Sequence, residues 1–195
     1  MSATAAAARP DKREALLDSA ERDFEREGFR GISVERLLRE NRISTRTLYK
    51  HFDSKDHLVV EVLERRHARY LRILDGERAD ADSPVDALFD SLERWIEGYG
   101  TSGCLFLRAL GEYGDTEELI GECARRHKRA LEGVVRECVT DALGRPDAAL
   151  SLQVWLLFEG ATAVAGVAGR EVVDGARAAA RALLARARAS RGTPS

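Results

Sequence analysis

Apolar side chains in this 195-residue chain recur every three or four positions, and nowhere do they alternate over a length that would make a strand. Leu17, Ala20 and Phe24 set the pattern, and Leu58, Val62, Leu63, Tyr70, Leu71 and Leu74 carry it over a longer stretch. Such spacing puts the apolar groups on one face of a helix, so the chain is expected to be all-α. Composition agrees: the chain is 44% hydrophobic and 33% charged, with only four prolines, and is rich in Ala, Leu, Arg and Glu. It can bury a core, and no internal repeat divides it.

Capping residues punctuate the pattern. A first helix ends near Gly28, and Ser33 caps a short second one that carries Val34, Leu37 and Leu38 to Glu40. Asn41-Arg42 makes a turn, Ser44 caps a third helix reaching Lys50, and Ser54 opens a fourth that runs to about Glu77. Ser83-Pro84 is a helix start, with proline at the first helical position. Breaks follow at Gly98 to Gly103, at Gly114-Asp115, and at Gly144-Arg145-Pro146 before two final helices. The opening MSATAAAARP has no apolar core for a signal peptide and reads as a tail. The most apolar run, Val154 to Gly169, contains Glu159 and reads as too short to cross a bilayer. No membrane partner is expected, and the location expected is cytoplasmic.

The net charge of −2 hides a division. Arg36 to Lys55 carries six basic residues against two acids, whereas Asp75 to Glu122 carries thirteen acids against three arginines. A basic segment inside an acidic chain points to a polyanion held at one place. Cys104, Cys123 and Cys138 are far apart with no CxxC, and His51, His57, His67 and His127 make no HExxH, so no metal or disulfide is suggested. Buried free thiols are the simplest reading.

The basic segment has its own logic. Leu37, Leu38, Ile43, Leu48 and Phe52 can hold two short helices, Ser33–Glu40 and Ser44–Lys50, against the first. That leaves Thr45, Arg46, Tyr49 and Lys50 facing outward, since 45/49 and 46/50 are neighbours on one face. A helix offering these groups suits a major groove, where hydroxyls and amines reach phosphates and Arg or Lys can pair with guanine. Ser33 and Ser44 also set backbone N–H groups at helix starts, where phosphates bind.

At these residues the chain resembles the TetR family of transcriptional regulators. GISVERLL, then ISTRTLYKHFDSKDHL, follows that family's pattern, with Thr47, Leu48, Tyr49, His51, Phe52, Ser54, Lys55 and Leu58 on pattern. The resemblance covers about Pro10 to Tyr70. It implies an N-terminal three-helix helix-turn-helix DNA-binding domain, residues 10–70, and a larger helical ligand-binding and dimerisation domain, residues 71–190. It also implies Tyr49, His51 and Lys55 as phosphate contacts and Thr45, Arg46 and Lys50 as groups that meet bases. In one place the chain departs from the pattern: Asn41-Arg42 stands where the family has Ala-Gly, so either Asn41 or Arg42 takes a strained position, Arg42 then reaching the DNA backbone.

Beyond residue 70, GCLFLRALGEYGD resembles a stretch common among these regulators. Trp95, Tyr99, Phe106, Arg108, Tyr113, Trp155 and Phe158 are candidates to line an apolar ligand pocket, with Arg108 and Glu159 as charges that must be paired or used. In the last two helices Gly160, Val164 and Ala168 form one stripe with Ala161 and Ala165 beside it, and Val172, Ala176, Ala179 and Leu183 form another. Small residues let helices approach, so these stripes are expected to pair two copies across a two-fold axis. The expected function is a repressor released from a palindromic operator by a small-molecule effector. Two alternatives stand beside it: a redox or electrophile sensor acting through Cys104, or a helical binding module without DNA contact. No Gly-rich phosphate loop or GxSxG occurs, so neither an enzyme nor a cofactor is expected.

Overall fold

A computed structural model describes residues 12–81, 83–114 and 116–190. The expected N-terminal tail, residues 1–10, and Asp115 lie outside the described residues. Among them nine helices occur and no strand: α1 Lys12–Glu27, α2 Val34–Asn41, α3 Thr45–His51, α4 Lys55–Asp80, α5 Pro84–Tyr99, α6 Leu105–Tyr113, α7 Glu118–Leu143, α8 Ala148–Ala168 and α9 Glu171–Ala189. The chain forms two compact units that divide between Leu63 and Glu64.

In the first unit, helices of 8 and 7 residues are too short to persist alone, so packing must hold them. Leu37 on α2 and Leu48 on α3 are fully buried, as are Leu16, Leu17 and Phe24 on α1 and Leu58, Val59 and Val62 on α4. Each such side chain is worth roughly 1.5–3 kcal/mol of burial. Phe24 and Phe29 meet at 5.0 Å between ring centroids. Local chemistry sets the ends: the Ser33 hydroxyl accepts the Arg36 N–H at 3.2 Å, and Ser44 accepts that of Thr47 at 3.1 Å.

The turn between α2 and α3 resolves the choice that the sequence left open. Arg42 adopts φ 51° and ψ 41°, the left-handed conformation, while Asn41 ends α2 and donates from Nδ2 to the Leu37 carbonyl at 2.9 Å. The Arg42 N–H bonds the Arg39 carbonyl at 3.3 Å and that of Ile43 the Leu38 carbonyl at 3.0 Å, a Schellman closure. Glycine would hold this position without a penalty of roughly 1–2 kcal/mol.

The second unit buries one cluster drawn from five helices, among them Leu74, Phe89, Val135, Val154, Phe158 and Leu184. Several of its acids pair between helices. Arg177 on α9 bridges Asp90 at 3.0 Å and Glu93 at 2.6 Å on α5, and Arg181 reaches Asp86 at 2.7 Å. Gly166 on α8 is small for a steric reason, because a Cβ there would stand 2.5 Å from the Thr101 carbonyl oxygen. Gly144, φ 69°, ends α7 in the left-handed region.

Helix α8 corrects one expectation. The apolar run that reads as too short to cross a bilayer lies in a helix 21 residues long with a mean hydropathy of 1.4, which by length and composition alone could cross one. It packs instead against α7 and α9, and Glu159 on it pairs with Lys128 of α7 at 2.5 Å.

Candidate nucleic-acid interface and ligand cavity

The outward face of α3 is built by the burial of its other side. Leu48 and Phe52 turn into the core, which leaves Thr45, Arg46, Tyr49 and Lys50 exposed along about 10 Å of helix. Tyr49 is 49% exposed, a large fraction for an aromatic ring on so small a unit. His51 is half-buried, its ring 6.4 Å from Phe52, and the Thr47 hydroxyl bonds Ser44 Oγ at 2.9 Å.

The basic residues of this segment fall into two groups. Arg36 is locked by Glu40 at 2.7 Å and by Glu27 at 2.6 Å. Hydrogen bonds from Arg36, then from Arg26, hold the Glu27 carboxyl down to about 2. Lys55 donates to the Phe29 carbonyl at 2.7 Å, tying the start of α4 to the loop before α2. By contrast Arg39, Arg42, Arg46 and Lys50 are exposed and have no ion pair among the described residues. Their charge is turned outward on the end of α2, the turn and α3. Nothing in the fold of this unit requires that face.

The second unit contains a cavity with an empty volume of about 550 Å³, its open mouth included. Of the expected pocket residues, Trp95, Phe106 and Phe158 line it. Tyr99 lies outside the lining, stacked on Trp95 at 4.4 Å. Arg108 pairs along its own helix with Glu112 at 3.1 Å, Tyr113 is buried elsewhere, and Trp155 donates from Nε1 to Glu159 at 3.2 Å. Glu159 stands behind the wall, holding the lining residue Lys128 in place. Sequence reasoning missed Arg66, His67, Tyr70, Cys104, His127, Lys128 and Thr162, which also line it. Arg66 is buried with its guanidinium 4.6 Å from the Trp95 ring. Tyr70 bonds Ser91 Oγ at 2.9 Å, and burial raises its pKa.

The expected dimer residues separate by the side of the helix they occupy. Ala161 and Ala165, at 4% and 3% exposed, face inward within the chain. Gly160, Val164 and Ala168 face outward, and Leu152 and Leu156 extend that stripe, Leu156 being 61% exposed. Val172, Ala176, Ala179 and Leu183 are half-buried along open grooves between α8 and α9. The outward stripe of α8 thus leaves an apolar strip open on a charged molecule.

Residues 16–62 match the family described as bacterial regulatory proteins, tetR family. The chain is 30% identical over 145 residues to the HTH-type transcriptional repressor SCO4008 of Streptomyces coelicolor, a match covering 68% of this chain and 69% of that protein. Its fold is similar to that of SCO4454, a TetR-family transcriptional regulator from Streptomyces coelicolor, with a TM-score of 0.83 at 24% identity over 91% of this chain and 96% of that one. A TetR-type transcriptional regulator from Streptomyces avermitilis aligns with a TM-score of 0.73 at 28% identity, over 91% and 98% of the two chains.

Proposed function

This chain belongs to the TetR family of bacterial regulatory proteins, and from that premise we propose which of its residues carry each step of regulation. It is a ligand-responsive, DNA-binding transcriptional regulator and not an enzyme. In our reading it represses from a palindromic operator in the cytoplasm. Residues 10–70 form the DNA-binding domain, and residues 71–190 form the ligand-binding and dimerisation domain.

Thr45, Arg46 and Lys50 meet bases in the major groove, Arg46 as the candidate for a bidentate pair with guanine. Ser33, Arg42, Ser44, Thr47, Tyr49 and His51 hold phosphates, with Lys55 acting first as a clamp on the Phe29 carbonyl. The observation that carries this reading is that Arg39, Arg42, Arg46 and Lys50 are all exposed, with no ion pair among the described residues.

Two copies pair through the outward stripe of α8 and the grooves beside α9, which brings two recognition helices to one operator. The two must lie about 34–36 Å apart, or a multiple of that, to enter successive major grooves. The effector occupies the cavity, whose aromatic walls favour an apolar molecule with one polar group. Effector binding shifts the population toward a conformer that no longer matches the operator spacing. Selection of binding sites from random DNA tests the reading: an inverted repeat should emerge, and a pool that stays unselected would overturn it. A thermal-shift screen of small apolar molecules should then find a compound that both stabilises the protein and releases the selected DNA.

A further inference from the structure

We propose that Glu64, Cys123 and His127 form a binding site for a divalent transition-metal ion of the zinc class. One ligand atom from each, a carboxylate oxygen, the Cys123 Sγ and a ring nitrogen of His127, lies within 4.8 Å of the other two. Cys123 and His127 are four apart on α7 and so share a face, while Glu64 comes from α4. In a tetrahedral zinc site, bonds of about 2.0–2.3 Å leave ligand atoms roughly 3.3–3.7 Å apart. Closure therefore needs a contraction of about an ångström, within the reach of side-chain rotation.

A second observation points the same way. His127 is only 8% exposed, and its Nε2 is buried with no hydrogen-bond partner among the described residues. Such an orphan is costly for a fold unless something else satisfies it. His67, one turn along α4 from Glu64, lies against His127 with ring centroids 4.2 Å apart and planes tilted by 39°. Arg126 Nη2 bonds Glu64 Oε1 at 2.8 Å and orients the carboxylate, as outer partners of metal ligands do.

The donor set selects the ion. Thiolate and imidazole suit zinc or cobalt, and calcium and magnesium require oxygen alone. Binding forms the bond from the Cys123 sulfur to the metal and releases the thiol proton to water; thiolate and carboxylate together then balance the dication. Three protein ligands leave the fourth position to water.

The test uses the full chain, freed of metal by a chelator and titrated with cobalt(II) as the probe, then with zinc(II) against a chromophoric chelator. One equivalent of cobalt per chain should give a near-ultraviolet thiolate-to-cobalt band and the intense visible bands of a tetrahedral ion. Cys123→Ser should abolish the thiolate band, His127→Gln should weaken zinc about 100-fold and Glu64→Gln about tenfold, while Cys138→Ser and Cys104→Ser leave all three unchanged. Because Cys123 is buried, Glu64→Gln at its exposed position serves as the readout if the cysteine variant misfolds. A titration without a thiolate band, or one that survives Cys123→Ser, overturns the site. None of these readouts involves DNA, so such a failure would leave the regulator reading untouched.

Discussion

The two units of this molecule place their charge differently. In the larger unit several acids are matched across helices: Asp86, Asp90 and Glu93 with Arg177 and Arg181, Glu159 with Lys128, and Glu77 with Arg94. In the smaller unit Arg36 is matched likewise, yet Arg39, Arg42, Arg46 and Lys50 are turned outward without an ion pair among the described residues. A charge run that the fold neutralises is part of the architecture. One that it leaves open is available to a partner, and in the proposed reading the sign of that surface fits a phosphate backbone.

The contrast can be broken first at the matched end. Glu159→Ala should leave the half-buried Lys128 without its partner and strip Trp155 of its acceptor, costing about 2–3 kcal/mol in thermal or denaturant unfolding. Exchanging both partners for apolar residues of similar size should restore most of that. The contact surface is the next place to press. Leu156→Glu puts a charge on the outward stripe of α8, and sedimentation should show a monomer that keeps its helical circular dichroism but binds the operator about 100-fold more weakly. Ala165→Glu is a poor choice for this purpose, because Ala165 is buried within the chain and the variant would lose stability for reasons of packing alone.

A third experiment uses pH. The folded pKa of His127 lies below the ordinary value of 6.5, at about 4. The unfolded chain therefore binds the extra proton first as pH falls, and metal-free protein should lose stability between about 6.5 and 4, on the order of 2 kcal/mol. The stability is fully present above that window, and His127→Gln should flatten the profile. Arg42→Gly is the smallest expected effect. Relief of the left-handed penalty should raise stability by about 1 kcal/mol, while loss of one exposed cation lowers affinity for all DNA and reduces the salt slope by about one.

The sequence was most legible where structure is local. Ser33, Ser44 and Ser83-Pro84 each stand at a helix start, and Gly144 at a helix end, because capping depends on residues within one turn. The outward set Thr45, Arg46, Tyr49 and Lys50 follows from the same short-range geometry, once Leu48 is assigned inward. The cavity was less legible, since Arg66, His127 and Thr162 meet only through packing between distant helices. The cluster of Glu64, Cys123 and His127 was invisible to spacing rules for the same reason, its members being split between α4 and α7. Helix α8 defeated phasing differently: it is apolar on nearly every side, and Ala161 and Ala165 differ from Gly160 and Val164 by one residue, or about 100° of rotation.

The most direct test of the central claim, that the unpaired face of α3 reads DNA, is the base preference of Arg46→Ala against the natural protein, measured on the selected operator and its single-base variants by fluorescence anisotropy at fixed salt. Arg46 is exposed and without an ion pair among the described residues, so its removal should change thermal stability by less than about 0.5 kcal/mol. Discrimination at one base pair in each half-site should fall by roughly 1–3 kcal/mol, with the other positions unaffected. An Arg46→Ala protein that keeps the full preference at every position would contradict the account and place the base reader elsewhere.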